Sequence, residues 1–265
     1  MSADDSSYPM KFDDAEKDRL EKQAQILAEP SLGVLLRKSE RCLEIGCGIG
    51  SNLPMVRSEN SNIDYFGIDI NVEALETARR NHSKTLKSKF EIMDGRNIQF
   101  PADSFDLVIS RLTLWSVGRD WGKVVEEARR VLKSGGIFYS YEPDDRFLLF
   151  FPKKDAAMNL IQKWQVRVTS DGLNPFIGIE ILSKMQEVGF SAAETRLDTK
   201  VTTGDKKDQY QACAENLRGI FTKNGPEFIG MGKNSREWQV GMKQLMESNK
   251  SSIIVEGYFV SQGVK

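Results

Sequence analysis

Between residues 41 and 141 the chain repeats one unit: a short apolar run, a turn, then a stretch whose apolar side chains recur at helical spacing. Residues 41–45, 63–69, 89–93, 105–110 and 136–141 read as strands, and 52–57, 72–81 and 123–132 as helices. In the last helix Val124, Val125, Ala128, Val131 and Leu132 share one face. Strands alternating with helices predict an α/β fold with a doubly wound, mostly parallel sheet. Right-handed crossovers then leave the ligand crevice at the carboxyl ends of the strands. The chain has 265 residues, 40% of them hydrophobic and 28% charged, enough to bury a core as one enlarged domain covering 1–265.

The flanks follow other patterns. Residues 1–10 are polar and are expected to form a mobile arm. Residues 11–40 carry Leu20, Ala24, Leu27, Leu32 and Leu35 near helical spacing, with a break near Pro30, and predict two N-terminal helices. Beyond the cofactor-binding core at 41–142, residues 143–176 and 205–250 lack a βα rhythm and read as cover over the sheet's open edge, with strands at 192–203 and 252–261. The aromatic run 147–151 is expected to pack beneath that cover, Lys153 and Lys154 to form a solvated face, and the sole histidine, His82, to face solvent.

Formal charge is −1, from 37 Lys and Arg against 38 Asp and Glu, so no bulk field attracts a phosphate backbone and nucleic acid is not the expected partner. Three cysteines, Cys42, Cys47 and Cys213, show neither CxxC nor zinc spacing, and no metal site is expected. The acidic N-terminus lacks a signal-peptide pattern, and no apolar run is long enough to span a bilayer. A reducing, cytoplasmic setting is the expectation.

Candidate binding residues gather at the strand ends. Leu43-Glu-Ile-Gly-Cys-Gly-Ile-Gly50 places three glycines where the first strand turns into a helix, so the backbone can bend sharply and a ligand can approach it. The spacing is G-x-G-x-G, which fits a dinucleotide fingerprint poorly, and Glu44 beside it suits an ammonium better than a phosphate. Asp69 ends the second strand, where a carboxylate accepts from ribose hydroxyls. Asp94-Gly95 follows the third, positioned for an adenine amine, and the fourth brings Ser110 to the same crevice.

Taken together, these residues resemble the class I S-adenosylmethionine-dependent methyltransferases. Leu43 to Gly50 is similar to the family's first motif, Gly67-Ile-Asp69-Ile70 to its ribose-binding motif, and Met93-Asp94-Gly95 to its adenine motif. Phe105-Asp-Leu-Val and Ala128-Arg-Arg-Val-Leu-Lys-Ser-Gly-Gly136 resemble its later motifs. Within the class, the pattern is similar to the small-molecule branch that includes ubiquinone and menaquinone biosynthesis methyltransferases.

The resemblance implies S-adenosyl-L-methionine as cofactor. Glu44 would hold its ammonium directly or through water, and Gly46 and Gly48 would pass beneath it. Asp69 would take the ribose, Asp94 the adenine amine, and Ile70 and Gly95 would flank the adenine. Ser110 and Arg111 would close the pocket beside the methionine moiety. It also implies a seven-stranded sheet with the last strand antiparallel and a helical substrate cover between the last two strands.

Glu142 leaves the fifth strand and is the one candidate catalytic residue; the alternative for it is a carboxylate bonded to local backbone N–H groups. Trp115 and Tyr210 are candidate substrate contacts, although each suits a core position as well. Without a histidine base in reach, an N- or C-acceptor on a small organic molecule is favoured over oxygen. A protein substrate and a non-catalytic cofactor-binding module are the alternatives, and the chain is expected to be a monomer or homodimer.

Overall fold

Asp13 starts the first helix by accepting a hydrogen bond from the Glu16 N–H (3.0 Å). In the computed structural model, which describes residues 12–27, 30–222, 224–232 and 234–265, helices α1 (Asp14–Ile26) and α2 (Pro30–Lys38) lead into β1 (Arg41–Ile45). There follow α3 (Leu53–Glu59), β2 (Asp64–Asp69), α4 (Val72–Asn81), β3 (Ser88–Ile92), β4 (Phe105–Arg111), α5 (Trp121–Val131) and β5 (Leu132–Pro143). The expected arm at 1–10 lies outside the described residues, apart from which the repeating unit folds as its periodicity predicts.

β1 pairs in parallel with β2 on one side and β4 on the other, placing Ile45 beside both Ile68 and Ser110. β3 extends the sheet beyond β2, and β5 beyond β4. Successive residues of the central strands enter opposite layers: Cys42, Leu107, Ile109 and Tyr139 pack with α2, α3 and α4, whereas Leu43, Val108 and Phe138 pack with α5 and a later helix at Glu180–Glu187. Burial on both faces explains the unbroken apolar runs in the sequence.

After β5 come β6 (Leu149–Phe151), α6 (Asp155–Ser170), α7 (Glu180–Glu187), β7 (Ser191–Thr203), α8 (Lys207–Thr222), α9 (Gly225–Phe228), α10 (Arg236–Met246) and β8 (Ile253–Val264). β8 runs antiparallel to all three strands it touches, with β7 along one edge and β5 and then β6 along the other. Among the described residues the sheet therefore has eight strands where seven were expected. The extra one is part of the aromatic run at 147–151, which pairs with Ile253 to Val255 of β8 where β5 no longer reaches.

α6, α8 and α10 form the cover between β5 and β8, with their own core of Leu160, Trp164, Tyr210, Leu217 and Leu245. Lys154 corrects the expected solvated face. It is buried, and its Nζ donates to the carbonyls of Gln244 (2.5 Å), Leu245 (3.4 Å) and Glu247, which are free acceptors at the end of α10. Among the described residues, no helix is long and apolar enough to cross a membrane.

Candidate active site

The glycine loop leaves β1 at the sheet edge where Asp69 and Arg111 also emerge. Gly46 adopts φ +72°, and a Cβ there would lie 2.3 Å from Thr113 Oγ1, so only glycine fits. Gly48, at φ +53°, has no neighbour within 4 Å of where its Cβ would stand, which leaves open space above the backbone. Its N–H donates to Asp69 Oδ2 (2.8 Å), while Asp69 Oδ1 accepts from the Asn71 N–H (2.9 Å). Each oxygen thus retains a lone pair for a ligand hydroxyl. Burial raises the Asp69 carboxyl above its ordinary range, and these backbone donors pull it back.

Ile70, Met93, Asp94, Gly95 and Arg96 line the next part of the same crevice. Asp94 is not free: Arg96 grips both its oxygens (2.8 Å at the closest). Partial burial works to raise the Asp94 carboxyl, but the hydrogen bonds from Arg96 outweigh it and hold it below its ordinary value. Oδ1 also accepts from the Arg96 N–H (2.8 Å), so each oxygen already takes two donors and an adenine amine would have to share one of them with Arg96.

Glu44 sits deeper than expected. It is buried, it does not line the crevice, and its oxygens accept from Tyr65 Oη and Asn52 Nδ2. Asn52 Oδ1 in turn accepts from Arg111 Nη1, and Arg111 Nη2 donates to the Leu27 carbonyl at the end of α1 (2.6 Å). Asn52 and Arg111 are the members of this chain that reach the crevice. Asn52 was missed in the sequence, although its place at the start of α3 was a signal: it caps no helix N–H because its amide serves Glu44 and Arg111.

Ser110 and Glu142 are likewise set below the crevice, and neither lines it. Glu142 is fully buried and accepts from the N–H groups of Thr113 (3.0 Å), Leu114 (3.0 Å) and Trp115 (3.4 Å) and from Ser110 Oγ (3.4 Å). Of the two readings of Glu142, these contacts match the carboxylate bonded to local backbone. Burial pushes its carboxyl up to about 7 in spite of the four donors. Its work is to hold the turn at 113–115, which carries Trp115 into the crevice wall.

The other end of the crevice is walled by Trp115, Leu148, Trp164, Pro175, Leu217 and Tyr258, with Asp144, Asp145 and Glu256 among them. The Trp115 and Trp164 rings lie 6.1 Å apart at 45°. Helix α1 roofs both ends through Arg19, Leu20 and Gln23, and Arg19 Nη1 donates to Asn216 Oδ1 on α8 (3.2 Å). Asp144 is bound by Arg146 (2.7 Å to Nε). Burial pushes the Asp145 carboxyl up to about 7, aided by the charges of Asp144 and Glu256.

Two expected positions change. Tyr210 is fully buried in the core of the cover and does not reach the crevice. His82 is half-buried rather than solvent-facing: its ring stacks on Phe90 (5.8 Å) behind Gly50, away from the crevice, because a glycine there leaves room for the imidazole.

Residues 43–140 match the family described as methyltransferase domain. The chain is 25% identical over 162 residues to phosphoethanolamine N-methyltransferase 3 of Arabidopsis thaliana, covering 58% of this chain and 32% of that protein. It is 28% identical over 131 residues to 2-methyl-6-phytyl-1,4-hydroquinone methyltransferase of Synechocystis, covering 46% and 39%. The chain thus spans less than half the length of each of these two relatives. The fold is similar to that of the YcgJ protein of Bacillus subtilis, with TM-score 0.57 and 19% identity over 89% of this chain and 98% of that one. Motif order, sheet topology and the match agree over the core: residues 43–140 form a methyltransferase domain of the class I, S-adenosylmethionine-dependent kind, whose cofactor is S-adenosyl-L-methionine.

Proposed function

We propose that this protein transfers a methyl group from S-adenosyl-L-methionine to a small organic molecule, with nitrogen or carbon preferred over oxygen as acceptor. The observation that carries this reading is one continuous crevice in which an open glycine turn beside Asp69 shares its walls with an aromatic chamber. The residues fit the cofactor: Asp69 for the ribose, Ile70, Gly95 and Asp94 for the adenine, the Gly46–Gly48 backbone with Asn52 and Arg111 for the methionine end. Glu44 and Ser110 act one layer behind, Glu44 through Asn52.

The cofactor supplies an electrophilic methyl on a sulfonium. What remains for the chain is to hold an acceptor close, aligned and dry. Trp115, Trp164 and the α1 roof exclude water, and Glu142 positions the turn that bears Trp115. With the sole histidine outside the crevice, no imidazole is available to deprotonate a hydroxyl, which supports the nitrogen or carbon preference. The similarity to an N-methyltransferase and to a hydroquinone methyltransferase is consistent with either acceptor. Residues from α1, the core and both cover segments meet in the crevice, so 1–265 is read as one functional unit.

Calorimetry with S-adenosylhomocysteine tests the reading. Wild type is expected to bind, and Asp69→Ala to lose two charge-assisted hydrogen bonds, roughly 1.5–3 kcal/mol each. Equal affinity in the two proteins would remove Asp69 from the site, and no binding by wild type would reject the cofactor altogether.

A further inference from the structure

Among the acidic side chains lining the crevice, two are without an ion pair among the described residues. Asp94 is matched by Arg96 and Asp144 by Arg146, and Asp69 is bonded by two backbone N–H groups that shape the glycine loop. Among the described residues, Asp145 has a single side-chain donor, Gln165 Nε2, at 3.4 Å on Oδ2, and none on Oδ1. Glu256 is nine-tenths buried and receives only neutral donors, Cys213 Sγ (3.1 Å) and Tyr258 Oη (3.0 Å). Lys200 stands opposite Glu256 in the β7–β8 register and its charge favours the Glu256 carboxylate from a distance, but its ion pair is with Asp198 (3.0 Å). No Lys or Arg among the described residues forms an ion pair with Asp145 or Glu256.

The two carboxylates come from separate parts of the chain and are brought together by the sheet. The Asp144 N–H donates to the Gly257 carbonyl (3.0 Å), which places the loop after β5 against β8. The cavity they share is an independent sign of a ligand, because it is enclosed by Trp115, Trp164 and Tyr258 and opens directly onto the glycine loop. Glu256 is buried and Asp145 half-buried, and carboxylates drawn out of water without an ion pair cost stability. A cation entering between them restores the balance, and the tryptophan faces attract it further while covering an apolar body.

We infer that the acceptor is an amine that enters as its ammonium, the cationic nitrogen held by Asp145 and Glu256 and the hydrocarbon part against Trp115 and Trp164; for transfer to that nitrogen, one N–H proton passes to a carboxylate, and the freed lone pair forms the N–C bond as the methyl's bond to sulfur breaks. This deepens the proposed methyl transfer and rests on it. Neutral quinol-like acceptors would leave both carboxylates unmatched, which disfavours them in the same chamber.

The test uses the full chain and calorimetry, with and without saturating S-adenosylhomocysteine. The probes are primary amines graded from ethylamine to 2-phenylethylamine, each paired with its alcohol of the same shape. The largest amine that binds is expected to exceed its alcohol by about tenfold or more, the scale of one charge-assisted hydrogen bond. Asp145→Asn is expected to remove about that factor for the amine while leaving the alcohol within about twofold, and Glu256→Gln to act in the same direction. Amines that bind no better than their alcohols throughout the series would overturn the inference, as would an Asp145→Asn protein with undiminished amine affinity. Should the nucleoside fail to bind while amines still outbind alcohols, the methyl-transfer reading falls and the cation site stands.

Discussion

The two ends of the crevice are built in different ways. The donor end is made of successive turns between β1 and α5: residues 46–52, 69–71, 93–96 and 111–113 all lie at one edge of a parallel sheet. Backbone groups and short side chains do most of the shaping, and the strand ladder holds them. The acceptor end draws on α1, the 113–116 turn, the loop after β5, α6, α8 and β8, and its walls are large side chains shared with a hydrophobic core. A site anchored by strand ends tolerates changes in the cover above it, whereas a chamber made from core side chains changes shape with every repacking. The first arrangement suits a constant ligand and the second a variable one.

The sharpest way to break this contrast is Trp164→Ala. The ring belongs at once to the crevice wall and to the cover's core, so its loss is expected to cost about 3–5 kcal/mol in a denaturant melt. S-adenosylhomocysteine affinity should stay within about twofold, since no donor-end residue loses a partner. A large fall in nucleoside affinity would show that the two ends are one mechanical unit.

Glu142→Gln tests the joint between them. The native carboxyl titrates near 7, above its unfolded value of about 4.3, so the native state holds the proton more tightly. Stability from that proton is full below about pH 4.3 and is lost as pH rises through about 7. Glutamine carries no such dependence, so the variant is expected to gain on wild type across that window, on the order of 3 kcal/mol in total. A difference in stability that is flat between pH 4 and pH 8, followed by chemical denaturation at each pH, would remove the buried charge from the explanation.

The smallest effect belongs to Arg96→Ala. The Asp94–Arg96 pair is more than a third exposed, so its loss should change stability by less than about 0.5 kcal/mol after solvent screening. Nucleoside affinity is expected to shift by less than about tenfold, with amine affinity unchanged. A drop of several degrees in the melting temperature would mean that this pair holds the donor end together.

The same contrast governs what could be read before folding. Glu44, Gly46, Gly48, Asp69, Asp94 and Arg111 sit within a stretch whose local pattern specifies strand, turn and helix, so their common edge followed from the topology. Which of them touches a ligand did not follow: Glu44 and Ser110 lie a layer below because Asn52, Tyr65 and Glu142 take their bonds, and those partners come from neighbouring elements. β6 was missed because the aromatic run that forms it becomes a strand only through residues a hundred positions later. Asp145 and Glu256 carry no local signature at all. Their place comes from the crevice that brings them together, and that juxtaposition exists only in the folded molecule.

Strand β8 carries a consequence for how the molecule is made. β5 and β7 share no ladder and meet only through β8, and Tyr141 finds its neighbour in Val260. During synthesis the parallel half of the sheet can assemble early, but β5 keeps one edge open and β7 has no partner until residues 253–264 have left the ribosome. Contacts so distant in sequence slow folding and leave strand edges exposed in the meantime. The nascent chain should therefore remain protease-sensitive after β5 is made, and gain resistance in one step once residues 253–264 have emerged, which pulse proteolysis of arrested chains with residues 253–264 inside and outside the ribosome would register.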